Sequence, residues 1–164
     1  IQLVNGQVKL LIEIKKGSDY YPYIEEQIIE LITANNATSW CVVQSFDDEV
    51  LEKFHELAPK IELHKLFYGN FLGIGLGRKK LEEYPYVTAF NTFYALTSQS
   101  YIQRVHKMGK TVNVWTVNKK STMIKMQKSG VDGNNRAHAL AGHTCSAQHR
   151  MFFCDADLIE LSRK

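Results

Sequence analysis

The chain has 164 residues, of which 45% are hydrophobic and 23% charged, with ten glycines, three prolines and a formal net charge of +3. Ordinary apolar content with so little charge per residue argues against disorder, and sparse, aperiodic glycine excludes a collagen-like fibre. No apolar run approaches the roughly 20 residues that cross a bilayer, no secretory signal opens the chain, and the basic residues are scattered apart from Arg78, Lys79 and Lys80, so neither a membrane span nor nucleic-acid binding is expected.

Five apolar runs alternate with four capped, amphipathic segments, the pattern of repeated strand-helix units. Residues 8–14 (VKLLIEI) read as a strand followed by a KKGSD turn. A helix is expected over 20–33, with Ser18 or Asp19 as cap, Pro22 in its first turn, Glu25 and Glu26 at the positive end of its dipole, and Ile24, Ile28, Leu31 and Ile32 on one face. Residues 40–46 (WCVVQSF) form the second strand. Asp47 then caps a helix carrying Val50, Leu51, Phe54 and Leu57, which must stop before Pro59.

Strands are expected at 61–68, 86–90 and 111–117. The helix after the fourth is capped by Thr97 or Ser98 and ends at Gly109; the helix after the fifth starts at Ser121 and ends at Gly130. Parallel strands with helical crossovers admit a doubly wound open sheet or part of a closed barrel, and periodicity does not choose between them. Residues 134–164 differ in character, holding three of the six histidines and two of the three cysteines. The strand expected after Gly-Val-Asp-Gly is missing, and only the stretch from Met151 to Leu161 looks able to form an element.

Glu13 and Lys15 lie two apart on a strand, so they point to the same side where the strand enters a glycine-containing loop. A carboxylate there can hold a hard divalent cation and an ammonium can hold a phosphate oxygen, although an ordinary ion pair has the same spacing. Trp115 reads either as a pocket wall or as a core indole in an apolar strand.

Taken in order, LLIEIKKG, VVQSFDDEVL, YALTSQSYIQRVHKMGKTVNVWTVN and GVDG resemble the later part of the glycerophosphodiester phosphodiesterase family, over about residues 8–133. The resemblance implies an α/β fold: parallel βα units of a TIM (β/α)8 barrel, here incomplete, lacking the first two strands and the last. Residues 1–133 would be the partial barrel and 134–164 an atypical tail. It further implies that Glu13 is one ligand of a catalytic Ca or Mg ion, that Lys15 contacts the substrate phosphate, and that Trp115 lines the pocket for the glycerol part. The implied activity is metal-dependent hydrolysis of glycerophosphodiesters or lysophospholipids in lipid metabolism.

The family's His-Arg-Gly strand end, Glu-x-Asp metal pair and second proton-transferring histidine do not occur in this sequence. His55, His64 and His106 stand outside those motifs and read as structural or exposed, so no catalytic residue is assigned. Phosphodiester cleavage needs a proton acceptor and a donor. A truncated, inactive form is therefore expected, with open strand edges that favour self-association. The alternative is a non-catalytic α/β binding or interaction module. A flavodoxin-like nucleotide-binding sheet ranks last because it lacks a phosphate loop.

The remaining motifs carry less. His138, His143, Cys145, His149 and Cys154 include zinc-ligand types, but their spacing matches no known arrangement. Gly73, Gly75 and Gly77 fit a turn-rich loop better than a nucleotide fingerprint. Cys41, Cys145 and Cys154 are too few for a disulfide scaffold, although a single Cys145–Cys154 bridge is compatible with the spacing, and the compartment is left open.

Overall fold

The computed structural model describes residues 1–68, 78–135 and 151–155. In chain order the elements are β1 (Lys9–Glu13), α1 (Gly17–Tyr20), α2 (Ile24–Ala34), β2 (Cys41–Ser45), α3 (Asp48–Leu57), β3 (Glu62–Phe67), α4 (Arg78–Glu82), β4 (Ala89–Phe93), α5 (Gln99–Lys107), β5 (Thr111–Trp115), α6 (Lys120–Lys128), β6 (Gly133–Asn134) and β7 (Met151–Asp155), with a 3-10 turn at Tyr94–Leu96. They divide between two compact units, one formed by residues 1–63 with the segment holding β7, the other starting at His64 and running through β6.

In the first unit β1 pairs in parallel with β2 on one side, from Leu10↔Cys41 to Glu13↔Gln44. On its other side it pairs with β7, from Lys9↔Met151 to Glu13↔Asp155. Leu10, Leu11, Ile12, Ile14, Cys41, Val42 and Val43 are all buried, the near-continuous apolar reading of parallel strands covered on both faces. Both edges of β1 are thus occupied. Helix α3 follows the sequence closely: the Asp47 carboxylate accepts from the Glu49 N–H at 3.1 Å, and Val50, Leu51 and Phe54 are buried.

The expected helix over 20–33 is instead two elements. Pro22 forces Tyr21 into extended backbone (φ −128°, ψ 90°), which ends α1, and α2 begins only at Ile24 after Tyr23 in a left-handed conformation. Pro22 therefore precedes the helix rather than starting it. Neither Ser18 nor Asp19 caps it.

In the second unit β3 pairs in parallel with β4 and β4 with β5, the latter from Ala89↔Thr111 to Phe93↔Trp115. Ser98 caps α5 by accepting from the Tyr101 N–H at 3.2 Å, while Tyr101, Ile102 and Val105 face inward. Strand β4 starts three positions later than the apolar run beginning at Tyr86 suggested. Lys110 Nζ explains the shift, donating to the carbonyls of Tyr84 (2.9 Å), Pro85 (3.2 Å) and Val87 and holding that stretch as a turn. Helix α6 begins at Lys120, one residue before the expected start.

A two-residue strand starts on the last glycine of Gly-Val-Asp-Gly, where none was expected. Gly133 and Asn134 pair with Asn113 and Val114, and Gly133 must lack a side chain because a Cβ there would stand 2.4 Å from Asn113 Oδ1. This pairing crosses the boundary drawn at residue 133, and β7 adds a second strand from the tail. The tail histidines, Cys145 and the glycines at 73, 75 and 77 lie outside the described residues, as does the side chain of Cys154. No helix among the described residues is long and apolar enough to cross a membrane.

Candidate functional site

In the first unit the carboxyl end of β1 is stitched to β2 beyond the last strand residue. Ile14 N–H donates to the Gln44 carbonyl at 3.0 Å, and Ser45 Oγ donates to the Ile14 carbonyl at 2.7 Å. Ser45 Oγ also accepts from the Asp47 N–H at 3.0 Å, tying the same point to the start of α3. Ile14 is buried, Glu13 is half-buried and Lys15 is exposed.

Glu13 Oε2 accepts from Gln44 Nε2 at 3.1 Å, its neighbour in the β-ladder. Gln44 is 1% exposed, so the amide is fixed by its surroundings. Asp155 occupies the matching register position on the other side of Glu13.

The loop after Lys15 is clamped from below. Lys16 and Gly17 have positive φ (59° and 45°), and a Cβ on Gly17 would lie 2.5 Å from Val50 Cγ2 and 2.7 Å from Glu25 Oε1. Glu25, 1% exposed, accepts from the Ser18 N–H at 3.0 Å, from the Ser18 hydroxyl, and from Lys53 Nζ at 3.3 Å. Lys53 also pairs with Glu26 at 3.0 Å. That hydrogen bond holds the Glu26 carboxyl below its ordinary range and raises the Lys53 ammonium above its own.

In the second unit Trp115 ends β5. Its Nε1–H donates to the Asn91 carbonyl at 3.1 Å, and its ring meets Tyr68 (centroids 5.7 Å, interplanar 72°) and Phe93 (5.5 Å, 47°). Trp115 is half-buried at the strand terminus. Below it runs a buried polar row. Asn113 Nδ2 donates to Asn91 Oδ1 at 2.8 Å, and Asn91 Nδ2 donates to His64 Nδ1 at 3.2 Å. His64 thus has the structural role expected of it. His106 pairs with Asp132 at 2.8 Å, and the same carboxylate accepts from the Val112 N–H.

Both units therefore place their candidate residues at the carboxyl ends of parallel strands. Gln44, Ser45, Asn91 and Asn113 were not singled out from the sequence. Their signal was visible, as polar residues interrupting strands that are otherwise apolar. Among the described residues no three His, Cys, Asp or Glu side chains cluster as a ready-made metal cage. The oxygen donor at Glu13 suits a hard cation, and sites for Mg characteristically use one or two carboxylates completed by water and substrate phosphate.

The model of the glycerophosphoryl diester phosphodiesterase family matches residues 15–134. A glycerophosphodiester phosphodiesterase of Caldanaerobacter subterraneus subsp. tengcongensis is 30% identical over 122 residues, which are 74% of this chain and 49% of that protein. Among solved structures, a glycerophosphodiester phosphodiesterase from Parabacteroides distasonis has a TM-score of 0.62 at 23% identity, over 78% of this chain and 52% of its own. An Oleispira antarctica phosphodiesterase in complex with the product sn-glycerol-3-phosphate has a TM-score of 0.57 at 16% identity, over 70% and 46%. The chain spans about half the length of the curated relatives it matches. The structural likeness shows the fold, parallel βα units of a TIM barrel of which this chain carries part.

Proposed function

Because the chain belongs to the glycerophosphoryl diester phosphodiesterase family, we propose that it is part of a metal-dependent hydrolase acting on glycerophosphodiesters or lysophospholipids in lipid metabolism. The observation that carries this reading is Glu13, held by Gln44 at the stitched end of β1, with exposed Lys15 two residues on. Glu13 would be one carboxylate ligand of a Ca or Mg ion. When bound, such a cation supplies Lewis-acid polarisation of a phosphoryl oxygen.

Lys15 would neutralise a phosphate oxygen through its ammonium, a point charge whose long stem lets it follow the anion. Gln44 orients the Glu13 carboxylate without adding charge. Trp115 would offer the glycerol part an apolar ring fixed through Asn91. None of these groups is a proton-transfer pair: His64 is buried against Asn91, and His106 is held by Asp132 near the start of β5, the opposite strand end from Trp115. We accordingly assign binding, not proton transfer, to the described residues. The second reading, a binding module without turnover, draws its support from those same occupied histidines.

Calorimetric titration with sn-glycerol 3-phosphate in the presence of calcium tests the assignment. Saturable binding should weaken about tenfold in Lys15→Met. The wild-type chain should give no detectable hydrolysis of glycerophosphocholine. Equal affinity in wild type and Lys15→Met would overturn the phosphate role, and robust turnover abolished by Glu13→Gln would show that the missing acid and base are replaced.

A further inference from the structure

We propose that the Tyr20-Tyr21-Pro22-Tyr23 segment is a contact for a phospholipid surface. Tyr20, Tyr21 and Tyr23 are 63%, 50% and 69% exposed, three large rings within four residues on the solvent side of the first unit. Single exposed aromatics are ordinary, whereas contiguous ones mark an interaction surface. Tyrosine suits one surface especially, since its ring enters the acyl boundary while its hydroxyl stays among the headgroups.

The backbone of the segment is prepared for a medium poor in water. The Tyr21 N–H donates to the Gly17 carbonyl at 3.1 Å, and the carbonyls of Tyr21 and Tyr23 accept from the N–H groups of Ile24 and Gln27, each at 3.0 Å. The Pro22 carbonyl accepts from Gln27 Nε2 at 3.4 Å, and proline has no N–H to satisfy. These groups would carry little desolvation cost into a headgroup layer. Tyr23 has φ 65°, a left-handed conformation that bulky residues seldom adopt and that tends to persist at functional segments. The buried Glu25 clamp on Ser18 holds the loop from beneath, so the rings are presented by a fixed frame.

Charge favours lipid over a second copy of the chain. Lys16 is exposed in the same segment, and its Nζ lies 4.1 Å from the centroid of Tyr20, where ring and ammonium can meet one phosphate headgroup together. Three half-exposed tyrosines offer roughly 300 to 400 Å² of contact. Doubled across two copies, that stays short of the about 1,000 Å² in total that a specific protein interface needs. Shallow insertion needs no such minimum. The contact requires no turnover, so its test is separate from that of the hydrolase reading.

The test is co-sedimentation of the full 164-residue chain with extruded vesicles of phosphatidylcholine, alone or with phosphatidylserine at about one lipid in three. Wild type should bind both and bind the anionic vesicles more tightly. The triple substitution Tyr20→Ser, Tyr21→Ser, Tyr23→Ser should lose about tenfold in partitioning, and Lys16→Gln about threefold on anionic vesicles. Should the triple variant fold poorly, Tyr21→Trp keeps an aromatic in place and should add a blue-shifted emission component, relative to wild type, when vesicles are added. No binding by wild type, equal binding by a folded triple variant, no blue shift, or a wild-type dimer that the triple variant dissociates would each overturn the proposal.

Discussion

Gln44 reaches across one rung of the β1–β2 ladder and donates its side-chain amide to the Glu13 carboxylate at 3.1 Å. The pair sets the orientation of the one acidic group assigned to a cation, and it depends wholly on register, since a slip of one residue would turn Gln44 to the opposite face. Gln44→Leu should therefore keep the fold, because a leucine fills the buried site. It should weaken calcium binding about tenfold, less than the loss of Glu13 itself, as expected for a group that only orients a ligand. Calorimetry on the two variants in parallel reads the order of effects.

Asn91 is the keystone of the second unit. It is fully buried and bonds His64 and Asn113 through its side chain while its carbonyl holds Trp115. Asn91→Leu should cost about 3 kcal/mol, because two buried polar partners lose their hydrogen bonds at once. Trp115→Phe, which removes one hydrogen bond and leaves most of the stacking, should cost about 1 kcal/mol. Urea denaturation of both variants would show this ranking, and equal midpoints would contradict it.

Gly17 should tolerate no side chain. Its φ is 45°, and an added Cβ would enter space held by Val50 and the Glu25 carboxylate. Gly17→Ala is expected to lower stability by about 2 kcal/mol or more, from strain and crowding together. In a thermal melt a protein of this size would lose several degrees.

The Lys53–Glu26 pair gives a pH dependence of defined sign. Glu26 titrates below its ordinary 4.5 in the folded chain because it accepts a hydrogen bond from Lys53, so its contribution is present above about pH 4.5 and is lost as pH falls through the lowered value. Lys53 titrates above its ordinary 10.5, first because of that same bond, so its contribution is present below 10.5 and is lost as pH rises through the raised value. Lys53→Met should flatten both limbs of the stability profile relative to wild type. Both groups are open to solvent, which keeps the effect small.

Burial pushes the Cys41 thiol up to about 11. At pH 8 only about one molecule in a thousand would carry the thiolate. Iodoacetamide should leave Cys41 unmodified in the native chain and alkylate it in urea, as peptide mass mapping would show.

Several elements were legible because their signals are local. The Asp47 cap with the Val50, Leu51 and Phe54 stripe, the Ser98 cap of α5 and the apolar run of β2 each need only neighbouring residues to declare themselves. The spacing of Glu13 and Lys15 is local too. What escaped depends on distant partners. Lys110 turns the stretch before β4, and Asn113 makes room only for a glycine at 133. Gln44 and Asn91 stand out as polar residues in apolar strands, but their roles appear only when register shows what stands beside them. The break between α1 and α2 was in view at Pro22, but the helical periodicity of Ile24, Ile28 and Ile32 drew the expected start too early.

Calorimetric titration of calcium and of magnesium into wild type and Glu13→Gln addresses the central assignment most directly. One saturable site in wild type, weakened at least tenfold by the substitution, is the predicted result. Equal cation affinity in the two proteins, or no binding by wild type, would contradict the role given to Glu13.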